Sequence, residues 1–371
     1  MGPEGSMSDH DRFLATRQFG SLDGLRALSI VGVLWHHTTP RGGEPLPIVG
    51  RGFMGVDLFF VISGFLITSL LLRERRRTGT ISLGNFYARR SLRIFPPYYL
   101  MLAIVAGVAL VKPGNSAPAI WHDLPYAATY VANFVAMQSM LAITWSLATE
   151  EQFYLVAPAA LRAMPRLFPL VLLPVGYALL SALPFGALPW LPVPGFFRET
   201  TYGPILLGVG LAFVLDDPRG YGWARRVVGG RYAPYAAAAV LVAALSHPTV
   251  DITGWPRLFI HWAMALLVAS CVIREDHAVR GVLSLWPVRR LGAVSYGIYL
   301  FHHLVYWGVD KAMRWTGLWS DLVFFAGVTL GSWAVAELSY RAFESRFLAL
   351  KTRFEPGRKA PELPPAPTPA V

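Results

Sequence analysis

Apolar and polar positions fall along this chain in long blocks rather than in the short periods of a soluble fold. Apolar runs occupy 22–39, 55–72, 94–111, 144–163, 167–185, 201–215, 232–246, 256–273, 291–309 and 321–340, separated by breaks that carry Arg, Lys or Pro. A helix needs about 20 residues to cross a hydrocarbon core, so these runs predict transmembrane helices, the shorter ones extending into their loops. The stretch 119–142, with Trp121, His122, Asp123 and Asn133, is amphipathic instead. The pattern predicts an all-α polytopic membrane protein of about ten transmembrane helices with no soluble domain.

Basic residues orient the runs. With 119–142 outside the count of spans, Arg73, Arg75, Arg76, Arg77, Arg89 and Arg90 fall on the same side as the later clusters at 162–166, 219–231, 274–290 and 346–359. Counting 119–142 as a span would put most of these clusters on the opposite face. The positive-inside rule therefore places both termini in the cytoplasm and makes 119–142 a re-entrant or interfacial piece on the outer side. The chain divides into a cytoplasmic segment 1–20, a membrane domain 21–345, and a Pro-rich cytoplasmic tail 346–371, largely disordered.

Composition agrees. The chain is 54% hydrophobic and 15% charged, against about 25% charged in soluble domains. The net charge of +11 suggests nucleic acid at first sight, but its placement in loops between apolar runs points to membrane topology instead. Residues 1–20 lack the apolar core of a signal peptide, so the first run is a retained helix. Cys271 is the single cysteine, so neither a disulfide framework nor a thiolate metal cluster is expected.

Polar groups inside apolar helices are expensive, which makes them the candidates for chemistry. Arg26 and His37 lie in the first run, eleven positions apart. That spacing is about three turns plus 20°, so both occupy one face, roughly 16 Å apart along the axis. Topology puts Arg26 near the cytoplasmic side, beside Arg90 and Arg93, which share a face at i,i+3. Guanidinium forks suit phosphate oxygens. His37 falls near the outer side, at the expected level of Asp57, Glu150 and Glu151. An imidazole oriented by a carboxylate can act as a general base. Trp145, Tyr154, Tyr299 and His302 are candidates for lining a substrate path. No His-x-x-x-His spacing accompanies these groups, so no metal is expected.

The stretches LDGLRALSIVGVLWHH, GVDLFFVISGFLI, FYARRSLRIFPPYY, WSLATEEQFYL and SYGIYLFHH together resemble the acyltransferase-3 family of bacterial membrane O-acyltransferases. These blocks cover roughly the first 155 residues and the segment near 290–303; the stretch between 165 and 285 carries no such resemblance. The resemblance implies a multi-pass enzyme of the bacterial inner (cytoplasmic) membrane. Such an enzyme uses cytoplasmic acyl-CoA, usually acetyl-CoA, as co-substrate and acylates a hydroxyl of a sugar, a cell-surface polysaccharide such as lipopolysaccharide, or a lipid-linked glycan. The family's first-helix Arg and His correspond to Arg26 and His37, and its paired Arg to Arg90 and Arg93. Some members carry a fused extracytoplasmic hydrolase-like domain. Only a short tail follows the last run here, so the expectation is direct acylation or a separate extracytoplasmic transfer protein. O-acylation of a small natural product such as a macrolide is an alternative acceptor class. A transporter or flippase for an anionic lipid-linked sugar is the alternative of another class.

Overall fold

The structure, a computed structural model, describes residues 7–16, 18–39, 47–182, 202–248, 254–317 and 320–354. Its principal helices are α1 (Asp9–Ala15), α2 (Gly20–Thr38), α3 (Gly55–Thr78), α4 (Leu83–Val111), α5 (Ala117–Ala128), α6 (Thr144–Ala163), α7 (Leu173–Ala182) and α8 (Gly203–Asp216). They continue with α9 (Pro218–Val228), α10 (Ala233–Leu245), α11 (Gly254–Val272), α12 (Trp286–Ala293), α13 (Ser295–Thr316), α14 (Asp321–Ser339) and α15 (Ser345–Leu350). No strand occurs among the described residues.

Each of the ten apolar runs contains a helix, but length and polarity separate them. Among the described residues, four helical stretches are long and apolar enough to cross a membrane: Gly52–Thr78, Leu83–Val111, Gly254–Val272 and Asp321–Phe354. The pair α9 and α10, bent by 76°, would make a fifth. At 14 and 13 residues, α8 and α10 are each about 20 Å long, short of a core of about 30 Å. The stretch 119–142 holds the 12-residue α5 and two 3₁₀ turns, Ala132–Phe134 and Met140–Ile143.

Two boundaries differ from the sequence expectation. The third long helix begins at Leu83 rather than near 94 and runs 29 residues through Arg89, Arg90, Arg93 and the Pro96–Pro97 pair. Polarity marks the edge of a membrane core, but Arg, Ala and Leu are good helix formers, so the helix continues past that edge. The start of the tail is helical: α15 and a 3₁₀ turn (Lys351–Phe354) fold back, and Arg89 donates to the Phe354 carbonyl at 2.5 Å. The remainder of the tail lies outside the described residues, as do 1–6 and 183–201.

Helix α3 is the hub. Of its apolar stretch 72% is buried within the protein, against 22% for the last long helix. It meets α8 through reciprocal glycines. A Cβ on Gly64 would stand 2.0 Å from the Ile205 carbonyl oxygen, and one on Gly208 would stand 2.1 Å from that of Val61. Such close backbone approach is how helices associate where lipid removes the hydrophobic drive. Gly79, at φ 75°, ends α3 in the left-handed conformation that Gly adopts at least cost. By contrast α14 turns Leu322, Val323, Leu330 and Leu338 outward, an apolar face suited to lipid tails. Two apolar cores share α2, α3 and α8: one adds α4, α6 and α13, the other α10 and α11. The large cavity opens in the first.

Candidate active site

A cavity of about 960 Å³ lies between α2, α3, α4, α6 and α13. Its mouth carries Arg73, Arg76, Arg77, Arg89 and Lys351, with one carboxylate, Glu74, 3.1 Å from Arg89. Ser63 lines it ten residues back along α3 from Arg73, which is about 15 Å. Between and around them stand Arg26, Arg90, Arg93, Glu150, Tyr154 and Tyr299. The cationic mouth and the hydroxyl–carboxylate group are thus two ends of one space.

Helix register explains the cationic part. Arg90 and Arg93 project from one face of α4, and the Arg90 guanidinium lies over the Tyr154 ring at 5.0 Å and the Phe86 ring at 5.9 Å. Stacking on aromatic faces holds a guanidinium in place while leaving its in-plane donors for a ligand. Arg26 pairs with Asp23 at 3.1 Å and still lines the cavity. Together with Arg93, Tyr296 and Glu344 it also borders a second space of about 230 Å³.

Glu150 accepts from the hydroxyls of both Ser63 and Tyr154. Glu150 and Tyr154 are one turn apart on α6, so the helix presents both to α3 and α4. The structure thus sets Glu150 in the cavity wall with Ser63 and Tyr154, whereas depth along the helix had grouped it with His37. The neighbouring Glu151 is rotated about 100° and does not line the cavity. Trp145 also stands back from the cavity, packed edge-on against Phe60 at 6.2 Å.

Asp57 corrects the same expectation from another direction. It is buried, and its Oδ2 accepts from His261 Nε2 at 3.0 Å and lies 3.4 Å from Arg257 Nη2, both on α11. The reason lies in tertiary packing: α3 sits between α2 and α11, and the first turn of α3 points Asp57 at the latter. Asp57 therefore ties α3 to α11.

His37 meets histidines. Its Nδ1 lies 3.1 Å from His302 Nε2, and its ring centroid is 4.9 Å from each of His302 and His303. Tyr299 connects this cluster to the cavity: its ring lines the cavity, its hydroxyl is 2.7 Å from that of Ser146, and its carbonyl accepts from His302 Nδ1 at 2.6 Å. Ligand atoms of the three imidazoles lie within 4.8 Å of one another, so they are the group among the described residues that could approach a metal. Tetrahedral zinc with nitrogen ligands at about 2.0–2.1 Å needs separations of about 3.3 Å, so the rings would have to draw together.

The sequence signal for His303 was its adjacency to His302. That for Arg257 and His261 was an Arg and a His one helical turn apart in an apolar run, a pattern that flags intramembrane polar groups as surely as Arg26 and His37 do. Lys351 carried no signal, because only the fold-back of the tail brings it to the mouth.

A helical membrane protein with a guanidinium-lined cavity and, one turn beyond Tyr299 of its wall, a histidine cluster centred on the buried His302 is the class these features define. The family model of the acyltransferase domain, the acyltransferase-3 type, matches residues 19–337, and the chain belongs to that family. It is 28% identical over 362 residues to the peptidoglycan O-acetyltransferase OatA of Listeria monocytogenes, covering 88% of this chain and 55% of that protein. It is 28% identical over 371 residues to the O-acetyltransferase OatA of Staphylococcus aureus (strain NCTC 8325), covering 90% of this chain and 58% of that protein. The chain thus spans little more than half the length of these relatives. No solved structure matches it.

Proposed function

We propose that this chain transfers an acetyl group from cytoplasmic acetyl-CoA to a hydroxyl of a cell-surface polysaccharide or lipid-linked glycan, as a multi-pass protein of the bacterial inner membrane with both termini cytoplasmic. The observation that carries this reading is one continuous cavity lined by Arg26, Arg90, Arg93 and further cations together with Ser63, Glu150 and Tyr299. At about 960 Å³ it is at the upper end of the range of about 300–1,000 Å³ found for ligand sites, which suits a large nucleotide thioester. The named relatives acetylate; one of them acetylates peptidoglycan. That supports acetyl as the acyl group and a glycan as the acceptor.

In this reading Arg26, Arg90 and Arg93, with the arginines of the mouth, hold the CoA phosphates. The pantetheine arm extends past Ser63 and Glu150 toward Tyr299. His37 takes the proton of the acceptor hydroxyl as its oxygen attacks the thioester carbon. The tetrahedral intermediate collapses with cleavage of the carbon–sulfur bond, and the CoA thiolate leaves and is protonated. No covalent acyl-enzyme is required.

The test is acetyl transfer from radiolabelled acetyl-CoA by the full chain in nanodiscs, with isolated glycan as acceptor. His37→Ala is expected to lower the rate by about 10²–10⁴, the usual contribution of a general base. A monodisperse His37→Ala protein that transfers at near the wild-type rate would overturn the reading.

A further inference from the structure

Two of the three imidazoles, His37 at the end of α2 and His302 in α13, have a proton arrangement that their hydrogen bonds determine. His302 is fully buried, and its Nδ1 stands 2.6 Å from the Tyr299 carbonyl oxygen. A carbonyl only accepts, so Nδ1 carries hydrogen, and in a neutral ring Nε2 then holds the lone pair. That Nε2 is 3.1 Å from His37 Nδ1. Two lone pairs do not meet at this distance, so His37 Nδ1 carries hydrogen and donates. The lone pair of His37 is left on Nε2. A cationic His302 would reverse the second bond, but the rings against it are those of His37, His303 and Tyr299, and none is a carboxylate. A charge buried without an anionic partner is the costlier arrangement.

We propose that His302 is a positioning residue for acyl transfer, holding His37 in the tautomer whose Nε2 can take the acceptor's proton. This rests on the reading of His37 as the base. His302 occupies the place where acyl-transfer sites commonly set a carboxylate against the base. The bond persists through the reaction. Once Nε2 of His37 has accepted the proton, Nδ1 still donates to His302, so the imidazolium keeps a partner on both sides of the transfer. The main-chain carbonyl of Tyr299 sets the whole chain of donors, and the ring of the same residue lines the cavity. The donor site and the orientation of the base are therefore built on one residue of α13.

The experiment uses the full chain in nanodiscs and compares wild type with His37→Ala, His302→Leu and His302→Gln, reading kcat and KM for acetyl-CoA separately and zinc content by mass spectrometry. Leu fills the space without an acceptor, whereas the Gln side-chain oxygen reaches the position of Nε2. His302→Leu is expected to lower kcat on the order of 10²-fold with KM within about twofold, and His302→Gln to recover most of that loss, because only the acceptor has been restored. A His302→Leu enzyme at the wild-type kcat, with His37→Ala inactive, would overturn the role of His302 and leave the base reading intact. Equal loss in the Leu and Gln variants would overturn it in favour of packing. Stoichiometric zinc that disappears with His302→Leu would overturn it too, since a metal would occupy the Nε2 lone pair. An active His37→Ala enzyme would remove the base reading itself and this role with it.

Discussion

Replacing Asp57 by alanine should destabilise the protein without acting on the chemistry. The Asp57 side chain is 3% exposed, and both of its partners approach the same oxygen, Arg257 at 3.4 Å and His261 at 3.0 Å. At 3.4 Å and an effective dielectric of about 20, the Arg–Asp attraction alone is about 5 kcal/mol. Removing the carboxylate forfeits this and leaves a buried guanidinium unpaired, a loss of about 3–5 kcal/mol in comparable sites. That corresponds to a change of roughly 10²–10⁴ in the folding equilibrium. The apolar triple variant Asp57→Leu, Arg257→Met, His261→Phe removes every charge at once and should recover most of the stability. Thermal unfolding followed by tryptophan fluorescence in detergent, with size exclusion as a check on dispersity, measures both. The reasoning fails if Asp57→Ala melts with the wild type yet transfers no acetyl group, because the carboxylate would then serve the reaction and not the α3–α11 contact.

Three further outcomes follow from the geometry. Gly208→Ala drives a methyl group to within 2.1 Å of the Val61 carbonyl oxygen and should cost about 1–3 kcal/mol in thermal unfolding; Gly107→Ala, in open space on α4, should be neutral or slightly stabilising. Arg90→Met removes a cavity cation and should raise KM for acetyl-CoA by about 10–100-fold, the loss of one charge-assisted hydrogen bond, with a smaller change in kcat. Asp123, in the short α5 outside the long helices, is buried, which pushes its carboxyl up. Hydrogen bonds from His122, the Ser139 hydroxyl and the backbone of Ser139 and Gln138 outweigh that and hold it below the ordinary range. Its folded value lies below an unfolded value of about 3.9, so its contribution is complete above that pH and is lost as pH falls through the folded value. The stability gap between wild type and Asp123→Asn should therefore be level from pH 5 to 8 and narrow below about pH 4, read by thermal unfolding across a pH series.

The candidate site was legible in the sequence to the extent that helix periodicity reaches. Arg26 and His37 on one face, and Arg90 and Arg93 on another, follow from about 100° per residue, and three of these four line the cavity. Depth in the membrane was harder to read. Ordering groups by their distance from a helix end put Asp57, Glu150 and His37 at one level, but level is not contact. Asp57 turned to α11, Glu150 to Ser63, and His37 to α13. The choice between Glu150 and Glu151 could not be made from periodicity alone, because it depends on which flank of α6 faces α3.

The amino-acid sequence by itself determined that this is a helical membrane protein, where its apolar runs lie, and which scarce polar groups they carry, since each of these depends on local composition and the period of the helix. Its family followed from five short blocks of residues read together. Tertiary structure decided the pairings. Rotation of each helix about its axis, set by contacts such as Gly64 against Gly208, selects one neighbour for every buried polar side chain. Those rotations joined the cations and Glu150 in one cavity and set His302 beside His37. A buried polar group must find a partner, but which partner it finds is a property of the packed bundle.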